Sequence, residues 1–165
     1  MFWLNILMRA QEFLSEVFNS QPYPLKQEPD PGRYEKHQSA VTDDGRPINI
    51  YTEFNWRHAP EDQYLGVVFD VGGTHQITGQ GDALRILNTV VAAVTKEANY
   101  IKPEYIALLA DPQHYNIYRA LAKRFGGQYQ QLTLNQIPDI FKNQLTHEDP
   151  GSLFILKRKD AAITK

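Results

Sequence analysis

The stretch Gln76-Ile77-Thr78-Gly79-Gln80-Gly81-Asp82-Ala83 decides how this chain is organised. Before it, hydrophobic residues recur at every second position, and after it they recur at every third or fourth. Two glycines allow the backbone to turn tightly and to approach a ligand closely. A helix that follows would present the N–H groups of its first turn and the positive end of its dipole. The stretch therefore predicts a strand-to-helix junction with the chemistry of a phosphate site.

Asp82 leaves a second interpretation of this junction open. An aspartate in front of a helix usually accepts hydrogen bonds from the first N–H groups of that helix, which would make the stretch a simple turn. Its carboxylate would also repel a phosphate. In the sequence the nearest cationic residue is Arg85, on the helix itself.

The chain before the junction is predicted to be an antiparallel meander. Ile48, Ile50, Thr52 and Phe54 alternate with polar residues, as in a strand that is buried on one side. Asp-Gly and Gly-Gly pairs mark hairpin turns between the strands. The predicted strands are residues 34–41, 48–54, 64–71 and 74–78.

The chain after the junction is predicted to alternate between helices and strands. Residues 105–110 form a short and almost continuous apolar run, which indicates a strand buried on both faces. The predicted helices are residues 82–99, 112–125 and a short one from 138 to 145. The predicted strands are residues 105–110, 129–134 and 152–157. The fold class is therefore α/β, of the α+β kind.

The chain before residue 34 has two parts. Apolar residues at helical spacing predict an amphipathic helix over residues 1–20, and we expect it to dock on the sheet. A helix that binds a membrane surface or a partner is the alternative, although the polar face lacks an excess of lysine and arginine. Residues 21–33 hold four prolines and predict an extended connector. The start lacks the basic leader and cleavage site of a signal peptide.

Composition narrows the classes of function. The 165 residues, 42% of them hydrophobic, fit one globular domain, residues 1–165. The net charge of −2 does not indicate a nucleic acid or an anionic membrane as partner. With no cysteine, the chain has no thiol nucleophile and no cysteine zinc site. The histidines lack the spacing of metal ligands, so we predict no metal.

The pattern Gln76-x-x-Gly79-x-Gly81 resembles the signature of GNAT-type N-acyltransferases. The resemblance implies a mixed sheet of six to seven strands, with helices on both faces. It also implies that acetyl-CoA or another acyl-CoA binds, with its pyrophosphate on the loop and its pantetheine between two splayed strands. On this chain the second half, residues 79–165, would bind the CoA. The implied binding residues are Gln76, Thr78, Gly79, Gln80, Gly81, Asp82, Ala83, Leu108 and Ala110.

The resemblance also implies a tyrosine that protonates the departing thiolate. In the family it lies one turn before the glycine that ends the helix, where this chain has Ala122. Tyr118, one helical turn earlier, lies on the same helical face and is the candidate; a core tyrosine is the alternative. Glu53 is the first candidate for the base that deprotonates an amine acceptor, and His75 is the second.

A closer resemblance is to small acetyltransferase-like proteins of tailed phages. Residues 78–83, Lys102-Pro103-Glu104 and Ala122-Lys123-Arg124 carry it. It implies a phage-encoded protein of the host cytoplasm or the virion. Two functions stay open: acetyl transfer from CoA to an amine, and a non-catalytic virion or host-directed accessory protein that binds a partner.

Overall fold

Seven strands form one mixed sheet in the order β1-β2-β3-β4-β5-β7-β6. The computed structural model describes residues 20–74, 82–109, 122–125, 127–144 and 153–159. The strands are β1 (Lys26–Gln27), β2 (Glu35–Val41), β3 (Pro47–Asn55), β4 (Tyr64–Val71), β5 (Tyr105–Leu109), β6 (Tyr129–Gln131) and β7 (Leu153–Arg158). The described helices are α1 (Ala83–Ile101) and α2 (Asp139–Gln144). The predicted α/β class and the mixed sheet are confirmed.

Strands β2, β3 and β4 form the predicted antiparallel meander. Side chains of each strand alternate between a buried and a more exposed side, because successive residues of a strand point to opposite faces. We call the exposed side the open face, and none of its thirteen residues is buried. They are Glu35, His37, Ser39, Val41, Pro47, Asn49, Tyr51, Glu53, Asn55, Tyr64, Gly66, Val68 and Asp70.

Helix α1 covers the buried side of the meander. It runs for 19 residues, two residues beyond the predicted end. Its inward residues recur at helical spacing and are at most 2% exposed: Ile86, Leu87, Val90, Ala93 and Val94. The helix ends at Lys102, whose left-handed backbone brings its N–H to the Ala98 carbonyl at 2.8 Å. It connects β4 to β5, which pair in parallel.

Helix α2 packs on the opposite face of the sheet, below β5 and β7. The Phe141 ring meets Tyr64 and Tyr105 edge-on, with centroids 5.0 and 5.5 Å apart. Ile137 and Ile155 complete this smaller core. Helices therefore lie on both faces of the sheet, as predicted. Helix α1 covers the meander on one face, whereas α2 leaves most of the meander uncovered on the other.

Residues 21–33, predicted to be an extended connector, contain a buried tyrosine and a short edge strand. Tyr23 is 3% exposed, and its N–H donates to Thr89 Oγ1 of α1 at 2.9 Å. Lys26 and Gln27 pair with β2 as an edge strand. Proline lacks an N–H, but it does not prevent the residues between two prolines from pairing at a sheet edge. Tyr23 is therefore part of the core, and Leu25 packs against it.

The predicted strand over residues 129–134 is too long, because β6 ends at Gln131. Thr133 caps a 3₁₀ turn, Leu134–Gln136, and its N–H donates to the Gln136 side chain at 3.0 Å. Such local side-chain bonds compete with strand pairing. The predicted strand after Thr74, most of the predicted helix over residues 112–125 and the predicted helix over residues 1–20 lie outside the described residues.

In the described part of the chain, no helix is long and apolar enough to cross a membrane.

Two buried threonines should respond to loss of the hydroxyl in opposite directions. Thr52 is 2% exposed and its Oγ1 has no hydrogen-bond partner. The Thr89 hydroxyl donates to the Arg85 carbonyl at 2.8 Å and accepts from the Tyr23 N–H. We expect Thr52→Val to raise the free energy of unfolding by about 1 kcal/mol, because an unpaired polar group leaves the core. Thr89→Val should lower the free energy of unfolding by about 1–2 kcal/mol, because it leaves the buried Tyr23 N–H without an acceptor.

Urea unfolding of both variants measures these changes. Equal destabilisation by the two substitutions would contradict this description of the core.

Candidate functional site

The start of α1 is the described part of the predicted phosphate site. Asp82 precedes the helix with φ −103° and ψ 1°, and its side chain makes no capping hydrogen bond. The first helical bond of the backbone runs from the Ile86 N–H to the Asp82 carbonyl at 2.9 Å. The N–H groups of the three residues between them have no helical acceptor, as at every helix start. The Asp82 carboxylate does not occupy them.

The Asp82 carboxylate is instead bound by Arg46. The distance from Arg46 Nη2 to Asp82 Oδ2 is 2.6 Å, between residues 36 positions apart. The expectation that Arg85 is the nearest cation is therefore wrong. The hairpin between β2 and β3 brings Arg46 to the helix start, while Arg85 bonds to Asp43 at 2.9 Å.

The hairpin turn holds the Arg46 side chain in place. Gly45 has φ +86°, which permits the tight turn, and the Thr42 N–H donates to the Arg46 carbonyl at 2.9 Å. The Arg46 Nε lies 3.0 and 2.8 Å from the two carboxylate oxygens of Asp44. The guanidinium thus joins two carboxylates, one in its own turn and one at the helix start.

Asp44 has a pKa below its ordinary value of 3.8. The main cause is the hydrogen bond that the Thr42 hydroxyl donates to its carboxylate, followed by the bond from Arg46. Because the folded-state pKa is lowered, this contribution to stability is present above the ordinary pKa and is lost as pH falls through the lowered one. The turn that positions Arg46 should therefore weaken only in strong acid.

The charges around the helix start do not balance. Among the described residues, Asp43, Asp44 and Asp82 face Arg46 and Arg85, so there is one carboxylate more than there are guanidiniums. One oxygen of Asp82, Oδ1, is buried and has no hydrogen-bond partner. A buried carboxylate oxygen without a donor is costly. The ion pair with Arg46 is therefore the main interaction that stabilises the Asp82 charge.

Among the described residues, the parallel ladder between β4 and β5 holds four residue pairs, from Tyr64↔Tyr105 to Val67↔Leu108. Strand β4 continues to Val71, where it still pairs with β3. Leu108, one of the residues predicted to line the cleft, pairs with Val67 and is 8% exposed. The other predicted borders of the cleft, residues 76–78 and Ala110, lie outside the described residues.

Glu53, the predicted base, lies on the open face and is exposed. Its cross-strand partners are Glu35 in β2 and Gly66 in β4. Gly66 directly precedes Val67, the last residue of β4 in the ladder with β5. Glu53 is therefore close to the end of the ladder, but on the side of the sheet away from α1.

Most of the other predicted site residues cannot be placed beside these groups. Ala83 begins α1 and is half-buried. Within the described ranges, no three histidine, aspartate or glutamate side chains are grouped so as to hold a metal ion. The predicted residues outside the described ranges are Gln76, Thr78, Gly79, Gln80, Gly81, Ala110, Tyr118 and His75.

No family model, no curated protein and no solved structure matches this chain. The start of α1 and the strands β4 and β5 beside it are therefore the features that indicate a function.

A double-mutant cycle should separate the ion pair from a helix cap. In the wild-type background we expect Asp82→Ala to lower the free energy of unfolding by about 1 kcal/mol, since the pair is partly solvent-exposed. In the Arg46→Met background the same substitution should be neutral or stabilising, because it removes an unpaired carboxylate. Thermal unfolding of the four proteins measures the coupling. A cap would cost about 1 kcal/mol in both backgrounds, and that result would contradict the structure.

Proposed function

We propose that the chain binds an acyl-CoA at the start of α1 and transfers the acyl group to an amine, as GNAT-type N-acyltransferases do. The observation that carries the proposal is the position of the Asp82 carboxylate, which is bound to Arg46 at 2.6 Å and not to the helix N–H groups. The sequence raises one main objection to a phosphate site, which is that this carboxylate would compete with the phosphate for the helix N–H groups. In the fold the carboxylate makes no hydrogen bond to those groups.

The diphosphate of CoA would accept hydrogen bonds from the backbone at the start of α1, including the N–H of Ala83. The helix dipole favours negative charge there. Arg46 has two effects: it partly neutralises Asp82, and it holds that side chain away from the donors. In this proposal Arg46 is a positioning residue, and residues 79–81 complete the loop around the diphosphate.

The pantetheine arm of CoA is extended and contains two amide groups. Such a chain can add to the edge of a strand through backbone hydrogen bonds. The last described pair of the β4–β5 ladder is Val67↔Leu108, and β4 runs on to Val71. We place the arm along this part of the sheet, beyond Leu108, with Ala110 on the other side.

The transfer itself forms a C–N bond and breaks the C–S bond of the thioester. Glu53, exposed beside the end of the ladder, would take a proton from the amine, directly or through a water. Tyr118 would give a proton to the thiolate of CoA. The amine nitrogen then carries no positive charge in the amide product, and the CoA sulfur carries no negative charge in the thiol product.

One observation favours a second function, a non-catalytic accessory or virion protein. The carboxylates around the helix start outnumber the guanidiniums, which weakens any attraction to a diphosphate. In either case the resemblance to phage proteins leads us to propose a phage-encoded chain, acting in the host cytoplasm or in the virion.

Thermal unfolding with acetyl-CoA and with CoA tests the proposal. A ligand at 100 times its dissociation constant stabilises a protein by about 2.7 kcal/mol, so the melting temperature should rise with ligand concentration. Gly81→Glu should abolish the rise, because it adds a carboxylate and a side chain to the loop. Gly127→Glu is the matched control, since a Cβ at Gly127 meets nothing within 4 Å. A melting temperature that does not move at millimolar CoA would refute the proposal.

A further inference from the structure

We infer that the open face is a docking surface for a positively charged and partly apolar segment of a partner protein. This inference does not depend on CoA binding, and it concerns the side of the meander opposite to α1.

Apolar side chains are exposed at the centre and at one end of the open face. Tyr51 is 39% exposed and Val68, its cross-strand partner in β4, is 43% exposed. Val41 is 58% exposed. The outer face of an antiparallel sheet is usually polar, so adjacent exposed apolar residues on such a face mark a contact surface.

The charged groups of the open face are acidic. Glu35 and Glu53 lie directly opposite each other on β2 and β3, and Asp70 lies on β4. None of the thirteen residues of the open face is lysine or arginine. At the neighbouring sheet edge Lys26 pairs with Glu28 at 3.1 Å, so this pair adds little net charge. Like charges opposite each other in a sheet destabilise it, and a cation that binds between them removes the repulsion.

The surface is held in one arrangement before any partner arrives. The His37 and Tyr51 rings are stacked, with centroids 4.3 Å apart and an interplanar angle of 14°. His37 Nε2 is 3.2 Å from Asn49 Oδ1, and Asn49 Nδ2 donates to Asp70 Oδ1 at 3.2 Å. This network crosses three strands. A partner would therefore order few side chains on binding, which lowers the entropic cost of association.

A shallow space lies beside the acidic pair. Gly66 is the cross-strand partner of Glu53 and has no side chain. A Cβ at this position would meet only the Glu53 carbonyl oxygen and Tyr64 Cε2, both at 3.7 Å. A lysine or arginine side chain could lie here with its alkyl part over Gly66. Its charge would reach Glu53, and the Tyr51 ring would be near enough for a cation–π contact.

Charge decides among the possible occupants. Nucleic acid and anionic membranes would be repelled by the three carboxylates. A second copy presenting the same face would set carboxylates against carboxylates, since a two-fold interface uses one patch twice. Residues 1–19 carry Arg9 against Glu12 and Glu16, and the chain enters the fold on the other side, where Asn88 of α1 donates to Ser20 Oγ at 2.6 Å. A cationic segment of another protein is complementary in charge to the three carboxylates of the open face.

The test uses a fluorescein-labelled decapeptide of alternating lysine and valine, with glutamate and valine in the control peptide. Fluorescence anisotropy should show binding of the lysine peptide alone, and the binding should weaken as salt rises from 50 to 200 mM because exposed charges are screened. Glu53→Lys should weaken binding by about tenfold or more. Glu61→Lys makes the same charge change in the exposed turn Pro60–Asp62 and should change it less than about twofold.

Amide shifts in NMR spectra should change at His37, Tyr51 and Val68 when the lysine peptide binds. The inference is overturned if the peptide does not bind, if the two glutamate variants weaken binding equally, or if the shifts change on another surface. Loss of CoA binding would leave it unaffected, because the peptide experiment contains no CoA and the expected shifts lie on the open face.

Discussion

The ion pair between Arg46 and Asp82 is the interaction on which the site depends. It joins the β2–β3 hairpin to the start of α1 across 36 residues of sequence, at 2.6 Å. Without the guanidinium, the carboxylate would have the N–H groups of the helix as its nearest alternative donors, because Asp82 occupies the position where aspartate usually caps a helix. The pair therefore determines whether the helix start can hold a ligand anion.

The parallel pairing of β4 with β5 explains why α1 lies on one side of the meander. Strands β4 and β5 run in parallel, so the chain must cross the sheet between them, and α1 makes this crossing. The helix is long enough to cover β2, β3 and β4 on that side as well. On the other side the described helix, α2, packs against β5 and β7.

The sequence predicts the elements whose signals are local. Alternation in β3 identifies Ile48, Ile50 and Thr52 as buried, and the change of period after Asp82 identifies α1. The Asp-Gly turn before Arg46 is also visible in the sequence. What the sequence does not reveal is which strand end lies beside which helix start, because that depends on sheet order and register. The pairing of Arg46 with Asp82 follows from these, as does the position of Glu53 opposite Gly66.

Two features that the sequence interpretation did not include have local causes. Prolines around Tyr23 indicate an extended connector, and the structure also buries this residue, whose N–H bonds to Thr89 and whose ring centroid lies 3.8 Å from the Arg85 guanidinium. The apolar residues after Tyr129 indicate a longer strand, yet the Thr133 cap ends it. In both places a specific side-chain bond outweighs the pattern of hydrophobic residues.

The most direct test of the central claim is a CoA titration followed through the backbone amides of Ala83, Leu84 and Arg85 by ¹⁵N NMR. If the Asp82 carboxylate leaves these N–H groups available, they should shift downfield together as the diphosphate accepts their hydrogen bonds. Amides that stay in place throughout the titration would contradict the account.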